Sequence, residues 1–114
     1  MLSYSGHEAG GVLVLTVEEN PTGEAVMAQR EWLYKTLEGR EDPRFVIDLG
    51  AIQYLQSSDI GVLVTIKRRV DARKGKVVLA NVDPFIRDIF QTMRIDKLFS
   101  VADDTSAAIK MLGD

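Results

Sequence analysis

The sequence of 114 residues contains no cysteine and a single histidine, His7. Without cysteine the chain has no disulfide framework and no thiolate nucleophile. A lone histidine cannot complete a zinc site, and no plausible base is available to activate a serine in a catalytic triad. We therefore interpret His7 as a surface residue of an edge strand near the N-terminus.

Long hydrophobic runs are also missing. The apolar run VLVL at Val12–Leu15 is far shorter than the roughly 20 residues that a transmembrane helix needs. The first ten residues lack the cationic start and the apolar core of a signal peptide. A net charge of −3 gives no electrostatic reason to bind nucleic acid or an anionic membrane. We expect a soluble, cytoplasmic protein without nucleic-acid or membrane partners.

Motifs for catalysis and for cofactor binding are absent as well. The glycines do not form the phosphate-binding patterns of P-loop or dinucleotide-binding proteins. The acidic residues do not have a spacing known for metal-assisted hydrolysis. We therefore expect no catalytic residues, no metal, no cofactor and no enzyme activity. The acidic residues nearest to such a pattern are Glu18, Glu19, Asp48, Asp103 and Asp104.

The remaining pattern is that of one α/β domain over residues 1–114. Hydrophobic content of 46% and charged content of 27% are ordinary globular values. Short apolar runs predict strands at Val12–Val17, Arg44–Gly50, Lys76–Asn81 and Phe99–Val101. The more polar segment Leu2–Glu8 is interpreted as an edge strand antiparallel to Val12–Val17. Apolar residues at helical spacing predict helices at 23–38, 58–74, 83–93 and from 103 or 104 to 112.

Apolar stripes of the first three helices are predicted to face the core, and start or stop signals bound these helices. The stripe of the second helix comprises Ile60, Leu63, Val64, Ile66 and Val70. The first helix follows Asn20-Pro21-Thr22 and ends at Gly39, the second closes at Gly75, and in the third Asp83 caps and Pro84 takes the first turn. The stripe of the first helix comprises Ala25, Val26, Ala28, Trp32, Leu33 and Leu37. The stripe of the third comprises Phe85, Ile86, Ile89, Phe90 and Met93.

Strands that alternate with helices imply crossover connections and a largely parallel sheet. The pair Gly10-Gly11 favours a hairpin turn, which adds an antiparallel N-terminal edge. The sequence thus predicts a small mixed sheet with about four helices. A receiver domain is disfavoured: Glu18-Glu19 and Asp48 imitate its acidic positions, but one helix and no strand separates their strands.

The segment YLQSSDIGVL at 54–63 places two serines between apolar runs, where the second helix begins. The first N–H groups of a helix have no internal partners, and a serine hydroxyl that accepts from them contributes about 1 kcal/mol. We expect at least one of Ser57 and Ser58 to cap the helix. Capping does not explain a pair of serines directly after a buried strand.

The stretch RFVIDLGAIQYLQSSDIGVLVTIKRRV resembles the central segment of STAS domains, the anti-sigma factor antagonists. Those domains have a strand that ends in Asp-Leu, a hydrophobic link, and Asp-Ser-Ser/Thr-Gly-Leu-Gly at the start of a helix. The later stretch KVVLANVDPFIRDIFQTMRIDKLFSVADDTSAAIKML resembles their ending. The resemblance covers the chain from the VLVL strand onward and implies a STAS-like fold.

In that family, a kinase that is also an anti-sigma factor phosphorylates the first serine of the motif, and the unphosphorylated form binds this partner. The resemblance places the phosphoacceptor at Ser57, with Ser58 as its neighbour. Gln56 and Asp59 replace the aspartate and the glycine of the motif, whereas Gly61 is retained. Asp59 would put a negative charge beside Ser57, either imitating a phosphate or marking a member that is not phosphorylated.

The exposed side of the second helix is a candidate docking ridge. Gly61, Thr65, Arg68 and Ala72 lie opposite much of its apolar stripe, a pattern that solvent exposure also explains. We expect an anti-sigma factor antagonist in a partner-switching pathway, a monomer or weak dimer that binds an anti-sigma factor with serine kinase activity. The alternative is an unphosphorylated STAS scaffold or small-ligand sensor. The predicted partner-binding residues are Gln56, Ser57, Ser58, Asp59, Gly61, Thr65 and Arg68.

Overall fold

The structure is a computed structural model and describes residues 2–20 and 22–113. The strands are β1 (Leu2–Ala9), β2 (Val12–Glu19), β3 (Arg44–Asp48), β4 (Lys76–Ala80) and β5 (Ser100–Ala102). The helices are α1 (Val26–Glu38), α2 (Ser57–Ala72), α3 (Pro84–Thr92) and α4 (Thr105–Gly113), with a short 3-10 helix at Asp96–Leu98.

The five strands form one sheet in the order β1-β2-β3-β4-β5. Strands β1 and β2 are antiparallel, and the other neighbours are parallel. At the hairpin, Gly10 and Gly11 have φ values of 59° and 80°, which glycine adopts without a steric penalty. The mixed sheet and its antiparallel edge confirm the fold predicted from the sequence.

Helices cover both faces of the sheet. Alternate residues of β3 point to opposite sides: Phe45 and Ile47 pack with α1, α2 and α3, whereas Val46 packs with Ala108 and Leu112 of α4. Central strands that are buried on both faces need apolar residues at successive positions. This burial explains why the strand segments of the sequence are continuous apolar runs.

Helix α1 begins later and buries less than the sequence predicted. Its N-cap is Ala25, with a φ of 61° and no side-chain cap hydrogen bond. The predicted cap segment forms a turn instead, in which the Asn20 side chain accepts from the N–H of Gly23 at 3.1 Å; Pro21 lies outside the described residues. Only Val26, Leu33 and Leu37 are buried in α1. Ala25, Ala28 and Trp32 of the predicted stripe are exposed.

Helix α3 begins as predicted but has a narrower buried stripe. The carboxylate of Asp83 accepts from the N–H of Phe85 at 2.8 Å, with Pro84 in the first turn. A nine-residue helix buries one row, here Ile86 and Phe90, and Phe90 stacks on Phe99 with ring centroids 5.9 Å apart. The prediction that Phe85 and Met93 face the core is wrong, since both are about half exposed.

The end of α2 is a left-handed turn at Lys74, around which the N–H of Gly75 donates to the Val70 carbonyl at 2.9 Å. The helix ends at Ala72, and Lys74 takes the left-handed conformation with a φ of 61°. A Cβ at Gly75 would lie 2.2 Å from the carbonyl oxygen of Pro43. The sequence predicted that Gly75 closes a helix that runs to Lys74. The helix ends two residues earlier, and glycine is needed at 75 because the backbone at Pro43 passes so close.

Candidate functional site

The loop between β3 and α2 carries the serine pair to the carboxyl edge of the sheet. Its three leucine and isoleucine side chains, Leu49, Ile52 and Leu55, are at most 3% exposed. The N–H of Leu49 bonds the Ala80 carbonyl of the adjacent strand at 3.0 Å. Because these anchors hold the loop on the core, the start of α2 has a fixed position at this edge.

Asp48 reinforces the same loop. One of its carboxylate oxygens accepts from the N–H of Gly50 at 2.9 Å and from the side-chain amide of Asn81 at 3.1 Å. Asn81 follows β4 with a φ of 57°, a conformation that asparagine tolerates well. Asp48 therefore links the carboxyl ends of β3 and β4 through its hydrogen bond with Asn81. No group of three or more histidine or acidic side chains suited to a metal ion occurs within residues 2–20 and 22–113.

The first turn of α2 is capped from outside the serine pair. Gln56 is the N-cap, and its backbone N–H donates to the carboxylate of Asp59 at 3.1 Å. The Gln56 carbonyl accepts from the N–H groups of Asp59 and Ile60, both at 3.0 Å. The expectation that Ser57 or Ser58 caps the helix is wrong, because the chain enters the helix one residue earlier and both serines already lie inside it.

Ser57 and Ser58 occupy the first two helical positions, and both are exposed. Backbone N–H groups at these positions have no partner within a helix. They also carry the positive end of the helix dipole. The surface therefore presents two hydroxyls beside unpaired backbone N–H groups. Neither hydroxyl forms a cap hydrogen bond.

Asp59 does not stand on the surface. Its residue is only 4% exposed, and it is the one buried polar or charged residue among those that the structure describes. The carboxylate turns back to the N–H of Gln56, so its charge lies near Ser57 as predicted from the sequence but is buried within the first turn. It does lie in the first helical turn, where an acid favours the dipole as predicted.

Beneath Asp59 lies a polar cluster that sequence reasoning missed. Burial, and then the charge of Asp59, raise the pKa of the Tyr4 phenol well above its usual range, against an opposing effect of Arg30. The Tyr4 hydroxyl and the Arg30 Nε are buried without hydrogen-bond partners in the described part of the chain. No sequence motif joins β1, α1 and α2, so only the fold brings these groups together.

The predicted ridge of α2 is solvent-accessible. Gly61 and Arg68 are exposed and Thr65 is half-buried. The Thr65 hydroxyl donates to the Gly61 carbonyl at 2.8 Å, and a Cβ built at Gly61 would meet no atom within 4 Å. Arg68 forms none of the ion pairs found between described residues. A second protein could thus approach the backbone closely at Gly61 and pair with Arg68.

Two exposed aromatic side chains belong to the same edge of the sheet. Tyr54 precedes α2 and is 57% exposed, and Phe85 in the first turn of α3 is 54% exposed. Aromatic residues are enriched in protein–protein interfaces.

Among the helices of the described residues, none combines the length and the apolar content that a membrane span requires.

The fold and this edge define a class of protein: a small α/β domain that presents the first turn and the outer ridge of one helix to solvent. A family model described as STAS domain matches residues 5–108. The chain belongs to the STAS domain family.

Relatives and solved structures agree with that membership. A candidate anti-sigma factor antagonist, BtrV of Bordetella bronchiseptica, is 29% identical over 65 residues, which are 57% of this chain and 56% of that protein. The match therefore spans little more than half of the relative's length.

Moorella thermoacetica RsbS has a TM-score of 0.83 at 20% identity over 96% of this chain and 93% of its own. The phosphorylated form of the Bacillus cell fate determinant SpoIIAA has a TM-score of 0.70 at 17% identity over 96% and 99%. At these identities the two structures show a shared fold.

Proposed function

We propose that this protein is an anti-sigma factor antagonist that acts by protein–protein binding in a bacterial partner-switching pathway, with Ser57 as the phosphorylated residue. The observation that carries the proposal is the exposure of Ser57 and Ser58 on a first turn that Gln56 and Asp59 already cap. Hydroxyls that the fold does not use are free to be recognised by a partner. The description of BtrV and the phosphorylated SpoIIAA structure support the same reading.

A phosphate on Ser57 suits this position physically. It would add about −1.5 to −2 charge at neutral pH next to unpaired N–H groups and the positive end of the α2 dipole. The cap between Asp59 and Gln56 does not involve the Ser57 hydroxyl, so phosphorylation leaves the fold intact. Its effect falls on the contact with the partner, where new charge and bulk must lose water.

The contact surface in this proposal runs from the first turn along the ridge. Gln56, Ser57, Ser58, Gly61, Thr65 and Arg68 touch the partner. Asp59, which the sequence placed in the same surface, acts through the helix start because it is buried. The partner is an anti-sigma factor with serine kinase activity, and the protein works in the cytoplasm as a monomer or weak dimer, by binding and not by catalysis.

The second candidate is a STAS scaffold or small-ligand sensor without a phosphorylation cycle. Its supporting observation is the pair of departures from the motif that the sequence resembles. Gln56 removes a carboxylate beside Ser57, and the Asp59 carboxylate serves the helix cap.

Affinity capture from native cells separates the two candidates. The captured partners and the serine peptides of the bait are identified by mass spectrometry. Ser106 is a matched internal control, because it is an exposed serine at the second position of α4. We expect an anti-sigma factor among the partners and phosphate on Ser57 but not on Ser106. Phosphate on neither serine, with no such partner, would favour the scaffold.

A further inference from the structure

A second concave surface lies at the opposite edge of the sheet from Ser57. It is a cavity of about 490 Å³ at the amino ends of β4 and β5, closed on one side by α4 and on another by the 3-10 helix. Its volume falls within the range of small-molecule sites. No part of the proposed partner surface lines it, so its role is separate from the serine pair.

Within residues 2–20 and 22–113, the charged side chains that line this cavity are cationic: they are Lys67, Lys76 and Lys97. Lys67 is held by Asp71 of the same helix, at 2.7 Å and 2.8 Å. Lys76 and Lys97 form none of the ion pairs found between described residues. Lys76 and Lys97 are thus the cationic groups that this cavity offers to a ligand, in a chain whose net charge is −3.

The rest of the lining is mainly apolar. Leu98 is 44% exposed and Met111 is 48% exposed, and both line the cavity together with the buried ring of Phe99. A concave surface with mainly apolar lining and a few charged groups is typical of small-molecule sites. The cavity therefore offers cationic groups and uncovered apolar surface side by side.

We infer that this cavity is a binding site for a small organic anion, with a phosphate or carboxylate group for Lys76 and Lys97 and an apolar body for Leu98 and Met111. Lysine ammonium groups bind such oxygens through charge-assisted hydrogen bonds. The apolar body excludes water and strengthens these bonds. The assignment uses no residue of the α2 first turn and holds whether or not Ser57 is phosphorylated.

Titration calorimetry with phenyl phosphate, phenol and inorganic phosphate tests the assignment on the full chain. Phenyl phosphate should bind with a dissociation constant of about 1 mM or tighter. Phenol and inorganic phosphate, which each lack one half of the recognised chemistry, should bind about tenfold more weakly or not at all. The variants Lys76→Gln and Lys97→Gln should each lose about tenfold in affinity for phenyl phosphate.

Lys35→Gln is the matched control. Lys35 is an exposed lysine of α1 that pairs with Glu31, and it does not line the cavity. The variant should bind phenyl phosphate as the parent does. Absence of phenyl phosphate binding would overturn the assignment, and so would equal affinity in the parent, Lys76→Gln and Lys97→Gln. Equal binding of inorganic phosphate and phenyl phosphate would overturn the apolar half. None of these results depends on the anti-sigma partner.

Discussion

The carboxylate of Asp59 accepts the backbone N–H of Gln56 at 3.1 Å, so the first turn of α2 is closed by the two residues that flank the serine pair. These same two positions are the ones at which the chain departs from the motif of the family it resembles. In this chain those two residues close the first turn, and neither serine hydroxyl takes part in the cap.

This arrangement predicts unequal costs for changes in the first turn. Asp59→Ala should lower the free energy of unfolding by about 1–2 kcal/mol, because it removes a buried cap acceptor. Ser57→Ala and Ser58→Ala should stay within about 0.5 kcal/mol of the parent, since neither hydroxyl caps the helix. Urea denaturation of the three variants measures these differences. If Ser57→Ala lowered the free energy of unfolding as much as Asp59→Ala, the Ser57 hydroxyl would have to be a cap of the helix.

The role of Gln56 in phosphorylation can be tested without damaging the cap. Gln56→Asp returns a carboxylate beside Ser57 and should raise phosphate incorporation by a cognate or related kinase. Adding Asp59→Gly should raise it further but lower stability by about 1–2 kcal/mol, through the lost cap and the glycine in the helix. Incorporation is measured with labelled ATP on folded protein. Equal phosphate incorporation in the parent and both variants would show that Gln56 and Asp59 do not limit phosphorylation of Ser57.

The third helix offers a matched pair of aromatic residues. Phe90 is 3% exposed and stacks on Phe99, whereas Phe85 in the same helix is 54% exposed. Phe90→Ala should therefore cost about 3–5 kcal/mol of unfolding free energy, and Phe85→Ala less than about 1 kcal/mol. Thermal and urea unfolding compare the two variants. An unchanged melting temperature for Phe90→Ala would show that α3 does not pack as described.

The raised pKa of the buried Tyr4 phenol predicts a loss of stability at alkaline pH. Burial, and then the charge of Asp59, raise the pKa of its phenol in the folded state, whereas an unfolded tyrosine releases its proton near pH 10. The folded chain binds more protons above that pH, so the free energy of unfolding falls as the pH rises through about 10 and beyond.

Tyr4→Phe should flatten this fall and leave stability at about pH 7 equal to the parent or higher, since the Tyr4 hydroxyl has no partner in the described chain. Tyr54→Phe is the control, because Tyr54 is 57% exposed, and it should keep the fall of the parent. Urea midpoints measured from about pH 8 to 11 give the comparison. An identical alkaline fall in the parent and Tyr4→Phe would contradict the assignment.

The sequence predicted the order of the elements because both faces of the sheet are covered, and its strands are therefore continuous apolar runs. Helix faces were less predictable. Trp32 and Phe85 fit an apolar stripe by spacing, yet short or peripheral helices bury only part of such a stripe. The buried position of Asp59 had no local signal, because it depends on where the chain enters α2. The cluster of Tyr4, Arg30 and Asp59 depends on tertiary packing alone.

Binding calorimetry with the captured anti-sigma factor tests the switching role of Ser57 most directly. Ser57→Asp should weaken binding by about tenfold or more, through charge at a contact that loses water, while the free energy of unfolding stays within about 1 kcal/mol of the parent. Ser106→Asp, at the matching turn of α4, should bind as the parent does. If Ser57→Asp binds as tightly as the parent, the serine pair has no switching role and the scaffold candidate replaces the proposed function.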